Sequence, residues 1–277
     1  MKLKLSIIVP VYNAATFLPR FLSCFENLKD AEVIFVDDCS TDGSLRILEE
    51  AATLHPSLSV HHLSRNLGVS VARQTGLDAA QGEYVIFADP DDFIDEGMYE
   101  GLIKTAEESG ADFVWEDFYE GEDNSWTRRN CRVVDATGEG LICAILTGKL
   151  HGATWNKLIR RSFITTCGAK FLSGYVGLCE DVDFLCQVLM ANPRCVYHEG
   201  CHYRYRVVEG SATHTKREQQ MKSLKIVERH LEKVLTTPRT RSVLRLWKFG
   251  NYASSQSGLW GKVMHAIYYV WRSKKLR

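Results

Sequence analysis

Short apolar runs and amphipathic stretches alternate along the first two fifths of the chain. The apolar runs are rich in β-branched residues, have the length of buried strands and lie at 5–11, 33–36, 60–63 and 84–88. The intervening stretches repeat their apolar residues at helical spacing and lie at 16–28, 41–52, 69–80 and 96–109. Strands and helices that alternate at this interval predict right-handed βαβ units and an α/β fold with a parallel sheet.

The remainder of the chain is less regular. We predict a strand near 112–118, an exposed loop or hairpin over the polar stretch 119–132, and a helix at 183–191. From residue 216 onward the sequence predicts Lys- and Arg-rich helices, the first of which ends at Thr236–Thr237–Pro238. The chain therefore divides into a body, 1–215, and a C-terminal helical extension, 216–277.

The charges are balanced in number but not in position. The 277 residues contain 34 Lys and Arg against 34 Asp and Glu, and 45% of them are hydrophobic, as in an ordinary globular protein. Residues 216–277 hold 15 Lys and Arg against 3 Asp and Glu, so the body carries the compensating negative charge. An acidic body with a basic extension predicts that the two parts meet different partners.

Cysteine usage and the N-terminal residues favour a cytoplasmic protein. The nine cysteines are scattered without a CxxC pair or Cys/His ligand spacing, so we expect reduced, mostly buried thiols and no zinc site. The apolar run at the N-terminus is too short for a signal peptide. No uninterrupted apolar stretch is long enough for a spanning helix.

Polar residues follow three of the predicted strands, at the edge where open α/β sheets bind ligands. They are Tyr12 and Asn13 after the first strand, Asp37 and Asp38 after the second, and Asp89, Asp91 and Asp92 after the fourth. Any single Asp could cap a helix, but the carboxylates at 89–92 repel one another and favour a hard cation such as Mg²⁺ or Mn²⁺. Neither GxGxxG nor GxxxxGK[ST] occurs, which argues against a dinucleotide-binding Rossmann protein and a P-loop protein.

Three segments in this region carry a resemblance to a known family. SIIVPVYNAATFL, VIFVDDCSTDGS and RNLGVSVARQTGLDAAQGEYVIFADPDD resemble the nucleotide-sugar-binding half of family 2 glycosyltransferases, which have the GT-A fold. WNKLIRRSFI, CEDVDFL and YRYRVVEGSAT resemble later segments of the same family. The resemblance implies a Rossmann-like mixed, mainly parallel sheet flanked by helices. It further implies a nucleotide-sugar-binding half at 1–95 and an acceptor and catalytic half at 96–215.

The resemblance also implies a role for each matching donor-site residue. Pro10, Tyr12 and Asn13 would lie beneath the nucleotide, with the Tyr12 ring against the base. Asp38 would accept the uracil N3–H, and Asp37 would sit at the ribose. The residues expected at the diphosphate and its Mn²⁺ or Mg²⁺ are Gly68, Arg73, Asp89, Asp91 and Arg206, with Asp91 as the direct metal ligand and Asp89 nearer the ribose. Cys39 stands where many relatives have Gly, a small departure.

For catalysis, the resemblance implies that Asp181 takes the proton from the acceptor hydroxyl and that Glu180 orients Asp181 or binds the acceptor. Displacement by that hydroxyl in a single in-line step would invert the anomeric carbon. Residue types alone favour Glu180 and Asp181 as acids at the N-terminus of the helix that follows, and the resemblance reverses that interpretation. Trp155 is expected in the core, with stacking on an acceptor sugar as a second interpretation.

We therefore expect an inverting, metal-dependent transferase that uses a UDP-sugar and a glycan or lipid-linked acceptor in surface polysaccharide synthesis. A sugar-phosphate nucleotidyltransferase is an alternative, but it would carry a Gly-rich basic loop after the first strand. A non-catalytic nucleotide-sugar-binding protein is another, but it could have lost Asp91 or Asp181. The basic, amphipathic segment 259–277 suits an anionic membrane surface at the inner face or packing on the acidic body. Nucleic acid is not expected as a partner.

Overall fold

Four parallel strands form the first half of the sheet in the computed structural model. They are β1 (Leu5–Val11), β2 (Ala31–Asp37), β3 (Leu58–His62) and β4 (Tyr84–Phe87), in the order β3-β2-β1-β4. The helices α1 (Leu18–Ser23), α2 (Ser44–Leu54) and α3 (Val69–Ala79) connect them. All seven residues of β1 are buried, as expected for a parallel strand covered on both faces. The structure describes residues 3–26, 28–122, 125–173, 179–207 and 217–255.

The second half of the sheet mixes parallel and antiparallel strands. Its elements are β5 (Phe93–Ile94), α4 (Met98–Ser109), β6 (Phe113–Glu122), β7 (Ser125–Arg129), α5 (Gly138–Leu146), β8 (Lys157–Arg160), α6 (Arg161–Cys167), α7 (Glu180–Met190) and β9 (Cys195–Arg206). The sheet continues from β4 in the order β8-β6-β9-β5, and β7 pairs with β6 as a hairpin. β9 runs parallel to β6, whereas β8 is antiparallel to both β4 and β6. The fold is thus the mixed α/β sheet that was expected.

Several predicted elements differ in extent from the observed ones. The helix expected over 16–28 is helical only at Leu18–Ser23, because the chain beyond it closes tighter i→i+3 hydrogen bonds at Cys24 and Phe25. The helix expected over 183–191 begins at Glu180, so both acids of the Glu180–Asp181 pair lie in its first turn. For the polar stretch 119–132 the sequence allowed an exposed loop or a hairpin, and the antiparallel pairing of β6 with β7 shows a hairpin.

The described part of the extension packs on the second half of the body. It comprises α8 (Arg217–Val234) and α9 (Pro238–Ser255), which contact α7 and α5 respectively. Val227, Leu231 and Leu235 belong to the same buried cluster as the residues of the sheet. None of the helices in the described ranges is both long and apolar enough to cross a bilayer. The segment 259–277 lies outside the described residues.

Candidate active site

Side-chain hydrogen bonds connect the loop after β1 to the loop after β2. The Asn13 backbone N–H donates to Ser40 Oγ at 2.9 Å, and the Thr41 N–H donates to Asn13 Oδ1 at 2.8 Å. Asn13 adopts a left-handed φ of 51°, which Asn tolerates better than most residues. Tyr12 directly follows β1 and has 51% of its surface exposed, although Pro10 two residues earlier is buried. A large exposed ring on a fixed loop can stack on a planar ligand.

The two adjacent aspartates at the end of β2 have different surroundings. Asp38 accepts backbone N–H groups on both oxygens, from Leu67 at 2.6 Å and from Gly68 at 2.8 Å. Asp37 is fully buried and accepts from His62 Nδ1 at 2.8 Å and from the Ser40 N–H through Oδ2. Its Oδ1 has no hydrogen-bond partner among the described residues. Asp37 therefore has an unused acceptor, whereas Asp38 already holds the loop that begins α3.

Cys39 has a left-handed backbone conformation, with φ of 59°. A side chain raises the energy of this conformation, whereas glycine adopts it freely. This geometry gives a physical reason for glycine at the corresponding position of related sequences.

Arg73 is the centre of the site. Its NH1 group donates to Glu180 Oε1 and to Asp181 Oδ1, both at 2.9 Å, and its NH2 group donates to Asp89 Oδ1 at 3.1 Å. Burial opposes the charge of Arg73, but the carboxylates of Asp181, Asp89 and Glu180 outweigh it and raise the guanidinium pKa. The Arg73 Nε–H is buried without a partner among the described residues. The cation thus joins the end of β4 to the first turn of α7.

Asp181 combines burial with close polar neighbours. Besides Arg73, it accepts from the Thr154 hydroxyl at 3.3 Å and from the Thr154 N–H at 3.4 Å. Burial is the main cause that raises its pKa, to about 7, and the negative charges of Glu180 and Asp89 add to it, whereas Arg73 opposes the increase. A carboxylate with a pKa near neutrality is suited to act as a general base.

The carboxylates that follow β4 have different surroundings. Asp92 is buried and accepts from the Tyr203 hydroxyl at 2.6 Å and from the Arg206 N–H at 2.8 Å. The Asp89 backbone N–H donates to the same Tyr203 hydroxyl at 3.2 Å. Tyr203 in turn stacks on Trp155, at 4.3 Å between ring centroids. Asp92 therefore fixes the geometry of the loop and leaves Asp89 and Asp91 for a ligand.

Asp89 and Asp91 are suited to a hard divalent cation. Burial, followed by repulsion from Asp89, raises the pKa of Asp91 to about 6, even though Arg206 and Arg20 oppose the shift. A cation between the two carboxylates would remove that repulsion, and carboxylate oxygens are the ligands that Mg²⁺ and Mn²⁺ prefer. The donor set therefore fits the expected metal.

The sequence-predicted residues are only partly joined by direct contacts. One hydrogen-bonded group contains Arg73, Asp89, Glu180 and Asp181. Arg206 makes different contacts. Its backbone N–H donates to Asp92, and its guanidinium lies 5.6 Å from the centroid of the Phe17 ring. Trp155 is 2% exposed, which agrees with the core interpretation. Sequence reasoning missed His62, Thr154 and Tyr203. Tyr203 begins the family-like segment YRYRVVEGSAT, and Thr154 directly precedes the segment WNKLIRRSFI, whereas His62 had no comparable signal.

The fold and the site define the class of the protein as an α/β protein of the GT-A type, with its ligand residues beyond the carboxyl ends of the parallel strands. The family model for Glycosyl transferase family 2 matches residues 6–167, more than half of the chain. The chain therefore belongs to that family.

Curated relatives agree with this assignment. The chain is 32% identical over 208 residues to the "Putative glycosyltransferase EpsH" of Bacillus subtilis, covering 73% of this chain and 60% of the relative. It is 39% identical over 120 residues to the "Cholesterol galactosyltransferase" of Borreliella burgdorferi, covering 43% of this chain and 33% of the relative. The chain thus spans three fifths or less of the length of these two relatives.

Solved structures share the fold at low sequence identity. S. aureus TarS 1–349 in complex with UDP-GlcNAc has a TM-score of 0.74 and 19% identity, covering 96% of this chain and 79% of that one. The mannosyltransferase PcManGT from Pyrobaculum calidifontis, in complex with GDP-Man and Mn²⁺, has a TM-score of 0.61 and 18% identity, covering 98% and 83%. At these identities the likeness concerns the fold.

Proposed function

We propose that this glycosyltransferase moves a sugar from a UDP-sugar to a hydroxyl of a glycan or lipid-linked acceptor, with inversion, in surface polysaccharide synthesis at the inner membrane face. The observation that carries the proposal is the convergence of Asp89, Glu180 and Asp181 on Arg73 in a chain of family 2. UDP-GlcNAc in the TarS structure supports a UDP-sugar as donor. Hexosyl or N-acetylhexosaminyl transfer are both compatible with this proposal.

The nucleotide would lie across the loops after β1 and β2. The exposed Tyr12 ring would stack on the base, beside Pro10 and Asn13. The unused Asp37 Oδ1 is available to a ribose hydroxyl, and Asp38 would accept the uracil N3–H with a lone pair beyond those used by Leu67 and Gly68. Gly68, with φ of 89°, would let the backbone approach the diphosphate, and Arg206 would close over it.

Asp91 and Asp89 would hold a Mn²⁺ or Mg²⁺ ion, which would neutralise the charge that develops on the departing diphosphate. The Mn²⁺ in the PcManGT complex supports this choice of ion. The Arg73 Nε–H, without a partner among the described residues, is a further donor for the diphosphate. Because Arg73 also binds Asp181, the same cation connects the leaving-group side of the site to the base.

Asp181 would act as the base opposite the leaving group. Its carboxylate takes the acceptor proton while the acceptor oxygen forms a bond to the anomeric carbon and the bond to the diphosphate oxygen breaks. UDP leaves with the bonding electrons, and the proton remains on Asp181. Glu180 shares the Arg73 NH1 group with Asp181, so it would orient the base or contact the acceptor.

The two alternative functions have less support. A sugar-phosphate nucleotidyltransferase would need a basic Gly-rich loop after β1, where this chain has VYNAATFLPRF. A non-catalytic nucleotide-sugar-binding protein has no need for a base with a pKa near neutrality, yet Asp181 has one. Both observations favour transfer.

The experiment that tests the proposal is a screen of UDP-, GDP- and dTDP-sugars for release of the nucleoside diphosphate with Mn²⁺ present. We expect turnover with UDP-sugars. The D181N variant should retain UDP binding, measured as a thermal shift, but lose turnover about 100-fold or more. D30N is the matched control, because Asp30 is exposed and adopts a left-handed φ that Asn tolerates equally. Turnover by D181N at the wild-type rate would remove Asp181 as the base, and no binding of any nucleotide would overturn the donor site.

A further inference from the structure

Glu116, His198 and His202 form a compact cluster on β6 and β9. One ligand atom from each residue lies within 4.8 Å of the others, and Glu116 is fully buried. Glu116 Oε2 lies 2.9 Å from His202 Nδ1, and its Oε1 accepts the His202 N–H at 3.0 Å. We propose that these three side chains bind a divalent transition-metal ion of the zinc type. The site is separate from Asp89 and Asp91 and does not depend on the proposed donor chemistry.

An irregularity in β9 brings the two histidines together. Residues four apart in a regular strand are separated by about 13 Å. The His198 and His202 rings are only 6.3 Å apart between centroids. Between the pairs Trp115↔Tyr197 and Asp117↔Cys201, β9 contains two more residues than β6, and a second register shift follows. Bulges of this kind re-aim side chains and are common beside functional sites.

Two glycines leave the space that the cluster occupies. A Cβ on Gly200 would lie 2.5 Å from Glu116 Oε2 and 2.7 Å from His198 Nε2. A Cβ on Gly101 of α4 would lie 2.9 Å from the same His198 Nε2. A side chain at either position would therefore displace a ligand atom. The close approach of two backbones to His198 Nε2 makes the position of this atom well defined.

Thr105 on α4 determines which nitrogen of His198 is available. His198 Nδ1 lies 2.8 Å from Thr105 Oγ1. If Nδ1–H donates to this hydroxyl, the lone pair is on Nε2, the atom near Glu116. A hydrogen bond from the distal ring nitrogen to an oxygen is the usual second-shell support of a metal-bound histidine. His202 would bind through Nδ1, releasing the proton that it shares with Glu116.

The donor set selects the class of ion. Two imidazoles and one carboxylate suit Zn²⁺, Co²⁺ and similar ions, whereas Mg²⁺ and Mn²⁺ prefer oxygen ligands. With three protein ligands and His202 30% exposed, a solvent molecule could complete a tetrahedral shell. The next residue of β9, Tyr203, donates a hydrogen bond to Asp92 in the loop after β4. The ion would therefore stabilise the strand that supports this loop.

The test is metal binding by the full chain after treatment with a chelator. We expect one Co²⁺ ion per chain with visible d–d bands but no thiolate charge-transfer band, and its displacement by Zn²⁺. The absence of the thiolate band distinguishes this site from binding by the nine free cysteines. The H198Q variant should lose the Co²⁺ spectrum, and T105V should bind about 10- to 100-fold more weakly.

H55Q is the matched control, because His55 is exposed and distant in sequence from the cluster. It should keep the wild-type affinity and spectrum. T105V also covers the possibility that H198Q does not fold, because Thr and Val are similar in shape and the substitution removes no ligand. A wild-type Co²⁺ spectrum in H198Q would overturn the proposal, and so would a wild-type protein whose spectrum is dominated by thiolate bands. Unchanged affinity in T105V, or the absence of any bound Co²⁺ or Zn²⁺ in the wild type, would also overturn it.

Discussion

At the scale of single residues, Arg73 connects the parts of the site. A guanidinium offers five N–H donors in a fixed plane, which allows one side chain to bind three carboxylates from two elements. The alternative, three partly buried carboxylates close together without a cation, would be unfavourable. The family resemblance predicts Arg73 at the diphosphate, but not its bonds to Glu180 and Asp181. Those bonds join residues 107 and 108 positions apart in the chain, which only the tertiary fold brings together.

The environment of Asp181 predicts a pH dependence of transfer. Asp181 acts as a base only when it is ionised, and burial raises its pKa to about 7. The rate should therefore fall as the pH decreases through about 7 and reach a plateau above it, with about a tenfold loss per unit well below the pKa. The measurement is kcat against pH at saturating donor, with UDP affinity followed in parallel. A rate that is constant from about pH 5 to 8 would contradict this assignment.

Cys39 offers a test of backbone strain in the loop after β2. Its φ of 59° disfavours a side chain, so C39G should be more stable than C39A by about 1 kcal/mol. C39A is the matched control because it removes the thiol but keeps a Cβ. Urea unfolding monitored by fluorescence measures the difference in free energy of unfolding. If C39G is less stable than C39A, the entropy that glycine loses on folding outweighs the strain.

At the residue scale, the sequence alone locates polar residues whose position follows from the local strand pattern. The carboxylates after β2 and β4 stand directly beyond strand ends, and the expectation that they bind a cation stays a prediction. His62, Thr154 and Tyr203 were missed because each acts on a residue distant in sequence: Asp37, Asp181 and Asp92 respectively. A single sequence contains no signal for such pairs until the strand order is known.

At the scale of elements, a clear hydrophobic pattern was the condition for success. β1 to β4 were predicted because each contains a continuous apolar run, and the helices between them were predicted because their apolar residues repeat at helical spacing. β8 and β9 were missed because β8 has four residues and β9 is irregular at His198–Cys201. The same irregularity concealed the metal-ligand cluster. The expectation of no zinc site came from the absence of a CxxC pair or Cys/His ligand spacing. A His-x₃-His spacing on a regular strand would in any case separate its side chains too far for one ion.

A buried contact between α7 and α8 connects the extension to the helix that begins at Glu180. Asp183 is 1% exposed and accepts from His230 Nδ1 at 2.7 Å and from Gln187 at 2.9 Å. Burial raises the pKa of Asp183, and the hydrogen bond from His230 opposes that increase. H230L would leave the carboxylate under-satisfied and should lower the free energy of unfolding by about 1–3 kcal/mol.

H230Q is the conservative comparison, because its amide can donate to Asp183 and should restore part of the loss. Urea unfolding of both variants, with the exposed-site control R229Q, measures the effect. Equal stability of H230L and the wild type would show that the contact contributes nothing to the packing of α8.

At the scale of the whole molecule, the net charge is zero, but the acidic and basic residues are concentrated in different parts of the chain. The body carries the carboxylates that bind Arg73 and those that we propose as ligands of a divalent ion, whereas residues 216–277 carry 15 Lys and Arg against 3 acidic residues. Part of the extension is explained by packing, because Val227 and Leu231 of α8 and Leu244 of α9 are buried in the core. The basic segment 259–277 lies outside the described residues, and its partner is a prediction from its amphipathic pattern.

That prediction separates a membrane partner from packing on the acidic body. Each basic residue near an anionic surface contributes about 1 kcal/mol, so the triple variant K262Q, R272Q and K275Q should bind anionic liposomes about 100-fold more weakly at low salt. The matched control is K225Q, R229Q and K233Q, which removes the same charge from exposed positions of α8. Liposome flotation measures the difference. Equally reduced flotation of the two triple variants would favour a diffuse effect of net charge. Flotation of both variants at the wild-type level would leave packing on the body as the role of the segment.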